Sequence, residues 1–160
     1  MESIANEIRE RVAAIVPQLM AMPEADAARK PSLDRWCKKE TLGHLIDSAS
    51  NNHQRFVRAQ LQGSLSFPGY EQEGWARCQG YVTADWRLLV ELWSSYNRHL
   101  ANVIARIPDN DLGAECRIDG REPVTLKWLV EDYVRHMDHH LAHLAAPPSQ
   151  GAGQSGAPEP

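Results

Sequence analysis

The chain has 160 residues, 42% of them hydrophobic and 24% charged, values that suit one globular domain and exclude wholesale disorder. Its formal charge is −4, from 21 acidic against 17 basic residues, and its thirteen Arg and four Lys form no basic run. Neither a nucleic-acid footprint nor attachment to an anionic membrane is therefore expected.

No stretch approaches the roughly 20 apolar residues of a spanning helix, and Met1-Glu2-Ser3-Ile4 lacks the layout of a signal peptide. Three cysteines, Cys37, Cys78 and Cys116, stand far apart without a CxxC pair. They read as reduced thiols in a cytoplasmic protein.

Four segments carry apolar residues at helical spacing. The first, Ser3 to Met22, has the stripe Ile4, Ile8, Val12, Ile15 and Leu19, with Pro17 expected to bend its last turn. The second runs from Lys38 to Leu61 and ends before Gly63. The third opens at Thr83 as a candidate N-cap, carries Trp86, Leu89, Trp93, Tyr96, Leu100, Val103 and Ile107, and stops at Pro108. The fourth starts near Pro123 or Val124 and carries Leu126, Leu129, Val130, Tyr133, Met137, Leu141 and Leu144. No alternating strand run stands out. The expected fold is all-α, an up-and-down four-helix bundle over residues 1–146.

The links before the second and third helices are about 15 and 20 residues, against a usual ~2–8 in bundles, which implies function or short hidden helices. Residues Gln62 to Val82 contain Phe67, Pro68, Tyr70, Trp75 and Tyr81, an aromatic content that suits a loop packed on the bundle. Residues 147–160 are rich in Pro, Gly, Ser and Ala, with nothing to bury, and are expected to form a disordered tail.

Histidine is the unusual residue. There are seven, and four fall between His136 and His143. They form two overlapping HxxxH pairs, His136 with His140 and His139 with His143, and residues four apart share a helix face where two imidazoles can grip one metal ion. At roughly 100° per residue, His140 lies about 55° and His136 about 95° from the centre of the apolar stripe, against about 115° for His143 and about 155° for His139. The first pair is the better candidate, because it lies at the margin of the core. An ordinary half-buried role, or a favourable helix C-terminal dipole, would also account for such a cluster.

A catalytic zinc-type site usually takes three protein ligands and keeps one position open. The third could come from His44, His53 or His99. His53 lies by phase near the apolar face of the second helix, as a core histidine. His44 lies on a polar stripe with Asp47, Ser48, Asn51 and Arg55, which phase alone would send to solvent unless it lines a cavity between helices. The HExxH helix of zincins, the paired ExxH motifs of di-iron bundles, the P-loop, GxGxxG and GxSxG are all absent.

The string Trp36-Cys37-Lys38-Lys39-Glu40-Thr41-Leu42-Gly43-His44-Leu45-Ile46-Asp47-Ser48 resembles the W-S-x-x-E-x-x-G-H-L-x-D-S signature of the DinB/YfiT-like superfamily. Asn51-Asn52-His53-Gln54-Arg55-Phe56, Pro68-Gly69-Tyr70 with Trp75, and Asp132-Tyr133-Val134-Arg135-His136 with His139-His140 extend the likeness to nearly the whole chain. The resemblance implies a four-helix bundle holding one divalent metal, such as Zn, Ni or Fe, on His44, His136 and His140. It also implies metal-dependent hydrolysis, or S-transfer from a low-molecular-weight thiol. Cys37 stands where the family usually has Ser, which weakens a Ser-x-x-Glu capping box without touching the site.

Three neutral imidazoles leave a bound cation its full charge. Such an ion lowers the pKa of a bound water from 15.7 to about 7 and deprotonates a coordinating thiol, so either nucleophile could attack a small-molecule substrate. Asp132 and Asp47 could orient His136 and His44, and Asn51 and Arg55 could line a pocket for a polar or anionic group. For all four, a solvated helix face is the alternative reading. Tyr70, Glu71 and Glu73 could lid the site, or be simple turn residues. The alternative is a non-catalytic module in which the metal, or the empty bundle, serves a homodimer, with Trp128 or the central loop as its interface.

Overall fold

In the computed structural model, which describes residues 1–32 and 34–146, the apolar stripes form four long helices: α1 (Glu2–Ala21), α3 (Lys38–Gln62), α5 (Trp86–Ala105) and α6 (Leu126–Ala145). Two short helices, α2 (Glu24–Ala27) and α4 (Gln72–Gln79), lie in the long links. So the first two links do hold hidden helices, as their length implied. The tail expectation concerns residues outside those described. No described helix is long and apolar enough to cross a membrane.

The four-helix bundle expected from the sequence is present, and the helix directions show how it is threaded. At the start of α3, Lys39 Nζ donates to the carbonyl of Ala84, just before α5, at 2.7 Å. Further along, His53 Nδ1 meets Tyr96 Oη at 3.0 Å, so α3 and α5 run the same way. On α1, Arg9 reaches Asn102 and the carbonyl of Leu19 accepts from Trp86 Nε1, so α1 runs against α5. Lys38 Nζ donates to the carbonyls of Leu144 and Ala146 at 2.7 and 2.6 Å, so α6 runs against α3. The order of directions is up, down, down, up, departing from strict alternation between α3 and α5. Two parallel helices need a connection that travels the bundle's length, which is why the second link is long. Both α1 and α3 pack chiefly on α5 and α6.

A small sheet departs from the all-helical expectation. Strands β1 (Ser64–Phe67), β2 (Glu115–Ile118) and β3 (Val124–Thr125) align in that order. β1 and β2 are parallel, with Leu65 opposite Cys116, and β2 and β3 are antiparallel. Because α3 and α5 finish at the same end, the segments leaving them can pair side by side. The β2–β3 hairpin turns through Asp119 (φ 56°) and Gly120 (φ 68°), left-handed positions that an Asp-Gly pair tolerates.

Two helix starts also differ from expectation. Asp85, not Thr83, caps α5, its carboxylate accepting from Leu88 N–H at 2.7 Å, while the Thr83 hydroxyl donates to the carbonyl of Gly80. α6 starts at Leu126 rather than at Pro123 or Val124. Val124 and Thr125 belong to β3, and Thr125 Oγ1 caps the helix by accepting from Trp128 N–H at 3.1 Å. At α3, Cys37 N–H donates to Glu40 Oε2 at 2.9 Å, so the glutamate half of the capping box survives the replacement of Ser by Cys.

Candidate metal centre

α3 presents His44 and, one turn on, Ser48. The antiparallel α6 presents His136 and His140 one turn apart. The polar stripe of α3 proves to be interior: His44 is 2% exposed, Asp47 3%, Ser48 4% and Asn51 8%. On α6 the phase argument places the residues well, with His136 and His140 half-buried and His139 and His143 exposed.

The three rings converge. His44 Nε2 and His136 Nε2 lie 3.0 Å apart, the ring centroids are 4.6–5.0 Å apart in each pair, and one nitrogen from each residue falls within 4.8 Å of the others. His53 and His99, the rival third ligands, sit instead at the α3–α5 interface, 5.3 Å apart, with His53 bonded to Tyr96.

Burial removes water that would stabilise an imidazolium, and each ring also faces its neighbours' charge. His44 is pushed down from 6.5 to about 4 by burial and then by His136. His140 is pushed down to about 3 by burial, then by His136, His44 and the other histidines of α6. His136 is lowered by burial, with Asp132 opposing. All three rings are therefore neutral at pH 7, each with one ring nitrogen carrying a lone pair. His44 Nδ1 is buried without a hydrogen-bond partner among the described residues. Three neutral nitrogens with unspent bonding capacity fit a borderline divalent cation.

Neither acid expected to orient a histidine does so directly. Asp47 Oδ1 accepts from Tyr81 Oη at 2.7 Å and from Gln79 Nε2 at 2.5 Å, fastening the 3₁₀ turn Tyr81–Thr83 to α3. Asp132 Oδ1 accepts from Arg135 at 3.1 Å. Asn51 Nδ2 donates to its own helix, at the carbonyl of Asp47. Ser48 is the residue the sequence reading passed over, its Oγ lying 3.4 Å from His136 Nδ1. The signal was its place one turn after His44.

Trp36 tilts against His44 at 5.2 Å and is held by its Nε1–H to Glu73 Oε2 at 3.0 Å. Tyr70 lies stacked over His44 at 6.5 Å and tilts against Trp75 at 4.9 Å. The central loop thus lies over the histidines, while Glu71 caps α4. Two clefts reach the cluster. One of about 460 Å³ reaches His136 and Arg55, and another of about 830 Å³ reaches His140 and Trp36.

Fold and site together define a helical bundle with an imidazole cluster shared between two of its helices. Residues 7–144 match the family model of the DinB superfamily, and the chain belongs to that superfamily. It is 21% identical over 145 residues to "Putative metal-dependent hydrolase YfiT" of Bacillus subtilis (strain 168), covering 90% of this chain and 78% of YfiT. It is 27% identical over 124 residues to "Putative metal-dependent hydrolase OB0413" of Oceanobacillus iheyensis, covering 74% of this chain and 68% of that protein. The solved structure of YfiT superposes with a TM-score of 0.72 at 22% identity, over 89% of this chain and 83% of that one, and is described as an unusual four-helix bundle topology.

Proposed function

We propose that this protein is a divalent-metal-dependent enzyme of the hydrolase type, with His44, His136 and His140 as ligands and a small molecule as substrate. The observation that carries the reading is the convergence of three neutral imidazoles within 4.8 Å beside clefts through which a small molecule could reach His136 and His140. A structural site would instead be closed by a fourth protein ligand. A metal held there supplies a Lewis acid and a water or small thiol activated at neutral pH. The names of both curated relatives favour water as the nucleophile. A low-molecular-weight thiol entering by the same cleft would make the reaction an S-transfer. Three free thiols suit a reducing, cytoplasmic setting.

The chain's own groups prepare the site. Ser48 Oγ meets His136 Nδ1 and leaves Nε2 facing His44. Trp36 and Tyr70 shield His44 from water. Burial raises the Tyr70 hydroxyl to about 12, so it keeps its proton at neutral pH and can donate to an oxygen in the cleft.

Elemental analysis of the protein beside its His136→Ala variant tests the reading. The expected result is stoichiometric metal in the first and its loss in the second. Equal metal in both overturns the ligand assignment. Stripped and reloaded protein is then assayed on model esters with and without a cellular thiol. Metal-dependent turnover supports the enzyme. Metal whose removal melts the fold, with no turnover under any condition, would establish the structural module instead.

A further inference from the structure

The cleft that reaches His136 also contains a charge without a counter-charge. Arg55 lies two turns beyond Ser48 on α3, about 10 Å along the axis, and both line this cleft. Its guanidinium has five N–H donors, yet among the described residues only Nη1 finds an acceptor, Asn52 Oδ1 at 3.4 Å. Arg55 Nε is buried with no partner, and no described carboxylate lies within 4.0 Å of the group. The guanidinium lies 5.5 Å from the Phe67 ring, and Tyr70, Asp132 and Cys116 act on it only through space. Arg55 is half-buried, and a guanidinium drawn partly out of solvent is ordinarily paired, because desolvating a lone charge is costly.

The acids of the cleft do not fill this role. Asp119 and Glu122 are exposed at its rim together with Arg121. Asp132 lies close enough to act on Arg55 through space, but its Oδ1 is taken by Arg135. The same cleft has an apolar part to its lining, from Ile118, Val124, Trp128 and Leu129. Trp128 remains 43% exposed, with Arg135 lying 5.3 Å over its ring, so it lends partly open aromatic surface to the cleft that Arg55 also lines.

We infer that Arg55 is the anion anchor of the substrate cleft, binding a carboxylate or phosphate whose apolar body lies on Trp128 and Leu129 and whose far end reaches His136. A planar fork of donors matches such oxyanions two at a time. The substrate class is then a small amphiphilic acid, cleaved or substituted at a carbon or phosphorus centre on the side away from its anionic group. This extension rests on the enzyme reading given above. The subsite itself does not, because it needs no metal.

Calorimetric titration of metal-stripped protein with phenylacetate, phenyl phosphate and neutral phenylacetamide tests it. At least one acid is expected to bind roughly tenfold or more tightly than the amide. That preference should vanish in Arg55→Gln, be partly kept in Arg55→Lys, and survive in His136→Ala. The last arm separates failure of the subsite from failure of the metal assignment. Acid and amide binding alike, no acid binding at millimolar concentration, or an acid preference unchanged in Arg55→Gln would each overturn the inference. So would a preference lost equally in His136→Ala.

Discussion

Gly43 precedes His44, and a methyl group there has no room. An added Cβ would lie 2.5 Å from Tyr81 Cε2, and nearer still to Cγ and Cδ2. The ring cannot simply swing aside, because Tyr81 is 5% exposed and its hydroxyl is bonded to Asp47. In the Gly43→Ala variant, helix propensity contributes about 1 kcal/mol of stabilisation. Overpacking costs about 1–3 kcal/mol, and a lost hydrogen bond to a charged acceptor about 1.5–3 kcal/mol. The net expectation is a loss near 3 kcal/mol, or roughly 6–12 °C in Tm for a domain of this size. Thermal melts of Gly43→Ala, Tyr81→Ala and the double variant measure it as a cycle. With the ring gone, Gly43→Ala should become neutral, or stabilising by up to about 1 kcal/mol. An unchanged melting temperature in the single variant, or an equal penalty in both backgrounds, would refute the close approach of Tyr81 to α3.

Two further outcomes follow from burial. In metal-free protein, His44 falls from 6.5 to about 4 and His140 to about 3, so below pH 6.5 the unfolded chain takes up protons that the folded chain refuses. Stability is fully present above pH 6.5 and is lost as pH falls toward 4, by up to about 3 kcal/mol for His44 alone. Urea midpoints between pH 7.5 and 4.5 should fall, and fall less in His44→Ala; a flat profile would contradict it. Cys37 and Cys116 are fully buried with thiols pushed up by burial, while Cys78 is exposed. Native protein should therefore react with a thiol reagent at Cys78 alone, and rapid labelling that persists in Cys78→Ser would count against the packing of the other two.

The four long helices were legible because each carries a one-sided apolar stripe, and the pairing of His136 with His140 followed from phase on α6. Phase misjudged α3. Near His44 that helix is buried on more than one side, by α5, α6 and the Tyr81 turn, so its polar stripe looked solvated. The sheet escaped notice because its strands are two to four residues long and pair across some fifty residues, as Leu65 does with Cys116. The Asp119-Gly120 pair was a local hairpin signal left unused. Asp47 looked like a histidine partner from spacing alone. Only the fold brings Tyr81 and Gln79 to claim it.

The threading of the bundle also has a consequence in time. The apolar face of α1 finds its principal partners in α5 and α6, the first of which begins 65 residues after α1 ends. At ~5–20 residues per second of synthesis, the first helix waits several seconds on the ribosome with its oily side uncovered. That interval, more than the finished structure, is when this chain has most need of a chaperone.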